Sequence, residues 1–437
     1  CSPTARMDDT HHSTGASQNA GEKRPTFESA KVNEPQEFPD GGLRAWLVVL
    51  GAFFGLLISF GWTNCVGVFQ AYYETHQLQS KSPSIVSWIP ATSMFMIFIT
   101  GPVVGRLYDN FGPRYLLLIG AFLHVFGLMM TSISSQYYQF ILAQAICSPI
   151  GAGMVMYPCF TCVTTWFMKK RALVMGIVAS GSSLGGVVLP ILVDRLMPQI
   201  GFAWTMRTCA FLMLALLIVT NLTVRPRLPS QPKNIGIMAF IRPFKDLPFL
   251  LTALASFFYS MGMFIPITFM VTYGKYRGMS VELAGYLVPI FNAASGIGRI
   301  LPGYAADKLG NYNVSLCAAC LSSIFVLALW LPGQDQATAI AFAALFGLSS
   351  GTYTAISPAL VAQISDIREI GTRSGTMYAC MSVAALTGSP IGGALISAAG
   401  GSYWKLQVFT GTMLVMGTIF YIIARMHLAK GKLWMKV

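Results

Sequence analysis

Gly105-Arg106-Leu107-Tyr108-Asp109-Asn110-Phe111-Gly112-Pro113-Arg114 recurs half a chain later as Gly303-Tyr304-Ala305-Ala306-Asp307-Lys308-Leu309-Gly310-Asn311-Tyr312. Both copies read G-x-x-x-D-x-x-G, and each stands where a long apolar run ends. Outward from them the chain divides into apolar runs of about 20 residues, the length needed to cross a bilayer. They fall near 45–67, 85–105, 115–133, 137–164, 172–196 and 203–224, and again near 249–273, 283–306, 314–332, 337–364, 374–398 and 404–426. Six runs and one motif copy in each half predict an all-α membrane protein of twelve transmembrane helices in two six-helix pseudo-repeats.

Composition agrees. Of 437 residues 54% are apolar and only 10% charged, against about 25% charged in a soluble protein. So few charges cannot cover a water-facing surface, but they suffice where lipid covers most of it. The 42 glycines suit close helix packing in a membrane, and Gly101/Gly105, Gly181/Gly185, Gly347/Gly351 and Gly388/Gly392 are G-x-x-x-G pairs. The net charge of +13 does not argue for a nucleic-acid partner, because the basic residues sit in short connections rather than on one amphipathic face. Most of the 29 basic residues lie on one side if the N-terminus is cytoplasmic. The positive-inside rule then puts both termini in the cytoplasm, and the plasma membrane is the expected location.

The expected organisation is a polar, disordered cytoplasmic tail over 1–39, an N-terminal half over 40–224, a cytoplasmic proline-rich and basic connection over 225–248, a C-terminal half over 249–427 and a short cytoplasmic tail over 428–437. The tail composition cannot bury a core, and no basic-then-apolar leader is evident, so no cleavable signal peptide is expected. Cys159/Cys162 and Cys317/Cys320 are C-x-x-C pairs, but they lie in apolar surroundings without nearby histidines. They read as buried structural cysteines rather than metal ligands. No metal or other cofactor is expected.

In the repeated motif, glycine permits tight reversal and close backbone approach. Asp109 and Asp307 can cap a helix N-terminus or pair with a basic residue of a neighbouring helix. Contacts made in one state and broken in another would form a gate. The candidate gating residues are Gly105, Asp109, Gly112, Arg114, Gly303, Asp307 and Gly310, together with the basic run Lys169, Lys170 and Arg171. Ser180–Gly186 of the fifth run and Thr387–Gly393 of the eleventh add a second, looser trace of duplication.

The motif resembles the signature of the major facilitator superfamily. Asp40-Gly41-Gly42-Leu43-Arg44-Ala45-Trp46 before the first run, and Trp166-Phe167-Met168-Lys169-Lys170-Arg171-Ala172-Leu173 leading into Gly176 and Gly181 of the fifth, look like the two signatures of its monocarboxylate porter family. The first carries one inserted residue. With Asn292-Ala293-Ala294-Ser295-Gly296-Ile297-Gly298-Arg299 in the eighth run, the chain is similar to fungal members over residues 40–427. The resemblance implies a secondary transporter working by alternating access, with a small organic solute, a carboxylate or other anion, as partner.

Arg299 stands inside a span, where a guanidinium costs at least about 2.5–3.5 kcal/mol on insertion scales and marks a functional position. Its planar fork suits a carboxylate, and the resemblance implies that this arginine binds the substrate's carboxylate. A place in the gate beside Asp307 is the alternative. Two departures matter. Relatives that move lactate with a proton carry a lysine in helix one and an aspartate one turn before the helix-eight arginine; here those positions are Asn64 and Ser295. Neither carries a proton at physiological pH, and no acidic residue lies deep in a span. A proton as second partner would need less obvious groups. Asn64, Asn292, Ser295, Tyr157 and Tyr378, and with them Tyr259 and Tyr353, can line a cavity or join helices. His124, alone in the third run, reads as packing.

Enzyme classes find no support: no G-x-x-x-x-G-K-[ST], H-E-x-x-H or G-x-S-x-G occurs. Export of a fungal secondary metabolite is the alternative within the transporter class, and a non-transporting sensor on the same fold is the alternative outside it.

Overall fold

The computed structural model describes residues 38–227, 238–366, 368–432 and 435–437, so residues 1–37 of the tail expected over 1–39 and residues 228–237 of the central connection lie outside the described residues. Among the described residues twelve long helical segments follow one another. Segment α1 runs Leu43–Ile58, through a 3-10 turn Trp62–Cys65, to Val66–Thr75; α2 comprises Pro83–Val86, Trp88–Ile99 and Gly101–Phe111; α3 is Pro113–Ser132 and α4 is Tyr137–Thr164. Helices α5 (171–200) and α6 (202–223) are continuous except at Gly201, whose φ of 74° breaks the helix. In the second half α7 is Leu247–Tyr276, α8 Val281–Leu309, α9 Asn311–Trp330, α10 Gln336–Gln363, α11 Ile370–Ala398 and α12 Trp404–Leu428. By length and composition all but α8 qualify as membrane spans. Helix α8 has the length, but Asn292, Ser295 and Arg299 interrupt its apolar run.

The helices overrun the apolar stretches that reveal them. Helix α1 continues to Thr75 rather than ending near 67, and α2 reaches Phe111. The repeated motif is therefore mostly helical and not a loop between helices: Gly105–Phe111 and Gly303–Leu309 are helical, and only Gly112 and Gly310 turn the chain, with φ of 76° and 105°. Left-handed backbone of this kind ends many helices and favours glycine, and Pro113 then opens α3 at a position where its missing N–H costs nothing.

Large apolar side chains at helical spacing remain exposed, such as Leu118, Phe122 and Phe126 on α3 and Phe211, Ile218 and Leu222 on α6. Water would penalise such belts and lipid does not, so the molecule is an integral, multi-pass membrane protein. The halves meet along two seams. In one, α5 packs antiparallel on α8, from Ala172 beside Gly303 to Gly186 beside the Asn292 amide. In the other, α2 packs on α11 so closely that a Cβ on Gly105 would fall on the Gly371 carbonyl, and one on Gly375 on the Gly101 carbonyl. Both glycine pairs admit no larger residue without parting the halves.

Candidate functional site

Between the seams lies a small cavity walled by four helices of each half: α1, α2, α4 and α5 on one side, α7, α8, α10 and α11 on the other. Its walls are mostly aromatic and thioether, with Phe60, Phe98, Met156, Met263, Phe264 and Met381 prominent. Among the described lining residues Arg299 alone carries a charge. The free volume is about 30 Å³, room for roughly two waters, so the halves are drawn together around it. A larger pocket of about 490 Å³ at the motif end is walled by Asp246, Phe249, Arg373 and Lys436 within the C-terminal half. It does not lie between the halves, and its charges are engaged: Asp246 pairs with Arg373, and the Lys436 ammonium donates to the Asp307 carbonyl at 2.6 Å.

Arg299 is 5% exposed. Its Nη1 donates across the α5–α8 seam to the Ala179 carbonyl at 2.5 Å and to the Ser182 hydroxyl, while its Nε is buried with no hydrogen-bond partner. No carboxylate among the described residues reaches ion-pair distance of it, and Asp307, eight residues on, is committed elsewhere. A buried cation held by neutral acceptors, with a donor left over, is chemically set to receive an anion.

The other expected lining residues separate. Tyr378 lines the cavity, its ring stacked on Phe98 with centroids 5.7 Å apart. Tyr157 stands behind it, edge-on at 5.4 Å, donating to the Ile97 and Phe98 carbonyls at 3.1 Å. Tyr353 lines the cavity, its ring tilted against that of Tyr259 with centroids 4.0 Å apart. Asn64 and Asn292 are not on the wall: the Asn292 amide donates to the Asn64 carbonyl oxygen at 3.2 Å, a clasp between α1 and α8. Ser295 is buried in the α8–α10 packing, against Gly351. Polar residues in spans do join helices more often than they line cavities, and these three follow that tendency. His124 accepts that reading too, its Nδ1 lying 3.0 Å from the Ser148 hydroxyl.

At the motif end the two aspartates cap helices of the opposite half. Asp109 accepts from the Gly371 N–H at 3.1 Å, the Thr372 N–H at 2.8 Å and the Thr372 hydroxyl at 2.6 Å, all in the first turn of α11. Asp307 accepts from the Ala172 and Leu173 N–H groups at 2.8 and 2.9 Å, in the first turn of α5. Free N–H groups and the helix dipole together favour a carboxylate there. Of the two options open to these aspartates, capping is the one realised.

Within each half a further aspartate completes the arrangement. Asp40 accepts from the Met168 and Lys169 N–H groups at 2.8 and 2.7 Å, and Trp46 meets Phe167 edge-on, so the Asp40–Trp46 and Trp166–Leu173 stretches are docked on each other. Its counterpart before α7 is Asp246, in the ion pair with Arg373. The expected gating role of the nearby cations is not matched by contacts. Arg114, Lys169 and Lys170 are exposed, and no side-chain bond from them to the other half is found among the described residues. Arg171 donates within its own loop, to the Phe167 and Thr164 carbonyls at 3.1 and 3.3 Å.

Two six-helix halves, each capped by the other, around a cavity between them define a secondary transporter of the alternating-access type. The Major Facilitator Superfamily pattern matches residues 51–301 and again 252–432, and the chain belongs to that superfamily. An MFS-type transporter of Gibberella moniliformis (strain M3125 / FGSC 7600) is 71% identical over 415 residues, covering 95% of this chain and 98% of the relative. The Fujikurins efflux protein of Gibberella fujikuroi (strain CBS 195.34 / IMI 58289 / NRRL A-6831) is 41% identical over 389 residues, 89% of this chain and 84% of its own length. Among solved structures the transporter FucP, in the outward conformation, superposes with a TM-score of 0.68 at 14% identity, over 86% of this chain and 98% of that one, a likeness of fold alone.

Proposed function

We propose that this transporter exports an amphipathic organic anion, an apolar body bearing one acidic group, of the kind fungal secondary metabolism produces. The observation that carries the reading is Arg299, the one charge on an otherwise aromatic and thioether wall. A small hydrophilic acid such as lactate would leave that wall unmatched, whereas a ring or alkyl body would cover it. The efflux role printed for the Fujikurins relative supports the outward direction. The docked Asp40 and Trp166–Leu173 stretches support the monocarboxylate porter branch, with its usual cation–carboxylate chemistry reduced to the arginine, since Asn64 and Ser295 stand where a lysine and an aspartate would.

In this reading the motif end, both termini and the 225–248 connection face the cytoplasm of the plasma membrane, as the basic residues favour. Asp109 and Asp307 hold that face shut, and the Asn64–Asn292 clasp ties α1 to α8 across the halves. Substrate enters when the latches release, takes over the Arg299 fork from Ala179 and Ser182, and so loosens the α5–α8 seam it lies against. Yeast cells expressing the chain should export apolar organic acids and spare their methyl esters. Equal handling of acid and ester rejects the anion, and net uptake rejects the direction.

A further inference from the structure

Arg299 leaves the cavity with a charge that no carboxylate among the described residues pairs with. The carboxylates of the described residues stand at the two ends of the helices or beyond them: Asp40, Asp109, Asp246, Asp307, Asp366 and Glu369 at the motif end, and Glu74, Asp194, Glu282 and Asp335 at the other. Between those ends, the titratable groups around the cavity other than Arg299 are phenols and thiols. Tyr353 and Tyr378 lie on the wall, Tyr157, Tyr259 and Cys159 lie behind it, and Cys380 lies farther along α11. Such groups ordinarily titrate near 10 and 8.5 and are neutral at cytoplasmic pH. His124 sits between α3 and α4, hydrogen-bonded to Ser148 and away from the wall. Among the described residues no group facing Arg299 is placed to pick up a proton on one side and release it on the other.

Resting on the anion reading above, we infer that export is driven by the membrane potential and is not exchanged for protons. The empty site carries one positive charge and the site holding a monoanion carries none. The loaded form therefore crosses the field as a neutral complex, and the empty form returns inward as a cation. Per cycle one negative charge leaves and no proton enters. Because the cytoplasm is negative, the potential pulls the positively charged empty site back inward. One charge moved through 100 mV is worth about 2.3 kcal/mol, which corresponds to an outside-to-inside ratio of roughly 50-fold.

The test uses the full chain in sealed vesicles with pyrenesulfonate and naphthalenesulfonate, apolar bodies whose charge is permanent, so that neither crosses as a neutral acid. A potassium gradient with valinomycin sets an inside-positive potential, and the orientation of the protein does not matter for an equilibrating uniport. The expected result is accumulation that rises about tenfold per 59 mV, the value for one charge. It should be the same with or without a pH gradient, and lost in Arg299→Gln protein whose thermal transition shows it folded. Protein-dependent flux with an accumulation ratio indifferent to potential, or set by a pH gradient at zero potential, overturns the inference and leaves the anion reading standing. Accumulation that survives in Arg299→Gln also overturns it. Failure of both sulfonates to move overturns the anion reading itself, and this inference with it.

Discussion

Replacing Asp109 by Asn tests the closed motif face quantitatively. The carboxylate accepts three hydrogen bonds from the first turn of α11. An amide keeps one acceptor oxygen, presents its NH₂ to a donor, and forfeits the charge that the helix end favours. Hydrogen bonds to a charged group are worth about 1.5–3 kcal/mol each, so two lost bonds set a ceiling of about 6 kcal/mol. Asp109 is only partly enclosed, and water replaces part of what is lost when the face opens, so about 2–3 kcal/mol is the expected shift. That moves the balance between closed and open motif face by roughly 30- to 150-fold, since each 1.4 kcal/mol is tenfold. The assay is the distance distribution between spin labels at exposed Arg114 and Arg368, one on each half, with flux measured alongside. Wild type should show mainly the short distance, and Asp109→Asn a dominant longer one with slowed transport. An unchanged distribution and an unchanged turnover would refute the latch.

Asp307→Asn should open the same face by less, because it accepts two backbone bonds and no hydroxyl, and the double variant should be close to additive if the two caps act independently; the same distance measurement reads both. Gly105→Ala places a methyl on the Gly371 carbonyl and should keep the α2–α11 seam from closing, trapping the motif face open as seen by cysteine labelling there. Ser182→Ala removes one of the two acceptors that hold Arg299 and should tighten anion binding by up to about tenfold, since less is displaced when the ligand arrives; weaker binding in a calorimetric titration would count against that competition. Asp246→Asn breaks an ion pair whose aspartate is half exposed, a loss of at most about 1 kcal/mol, so thermal stability should shift by no more than a few degrees.

The twelve helices were legible because lipid demands apolar runs, and the duplication because both motif copies keep glycine and aspartate in register. The helix ends were not, since α1 and α2 continue past the apolar stretch into segments such as 68–75 and 106–111 that hydropathy does not mark. Arg299 was legible from the cost of burying a cation. Its partners were not: Ala179 contributes a backbone oxygen, and Ser182 belongs to a small-residue run that reads as packing. Asn64, Asn292 and Ser295 have the chemistry of lining residues, but which face of a helix meets the cavity depends on how the halves sit together. The same ignorance hid the Phe and Met wall, because apolar residues in a span carry no individual signal.

The central claim is that Arg299 receives the charge of the substrate, and equilibrium binding reports it with no dependence on turnover. Pyrenesulfonate and its neutral sulfonamide, nearly equal in shape, can be titrated against wild type and Arg299→Gln. Losing one or more charge-assisted hydrogen bonds of about 1.5–3 kcal/mol predicts that wild type prefers the anion by about 10- to 150-fold and that the variant binds the two alike. Equal affinities in wild type, or an undiminished preference for the anion in Arg299→Gln, would contradict the account.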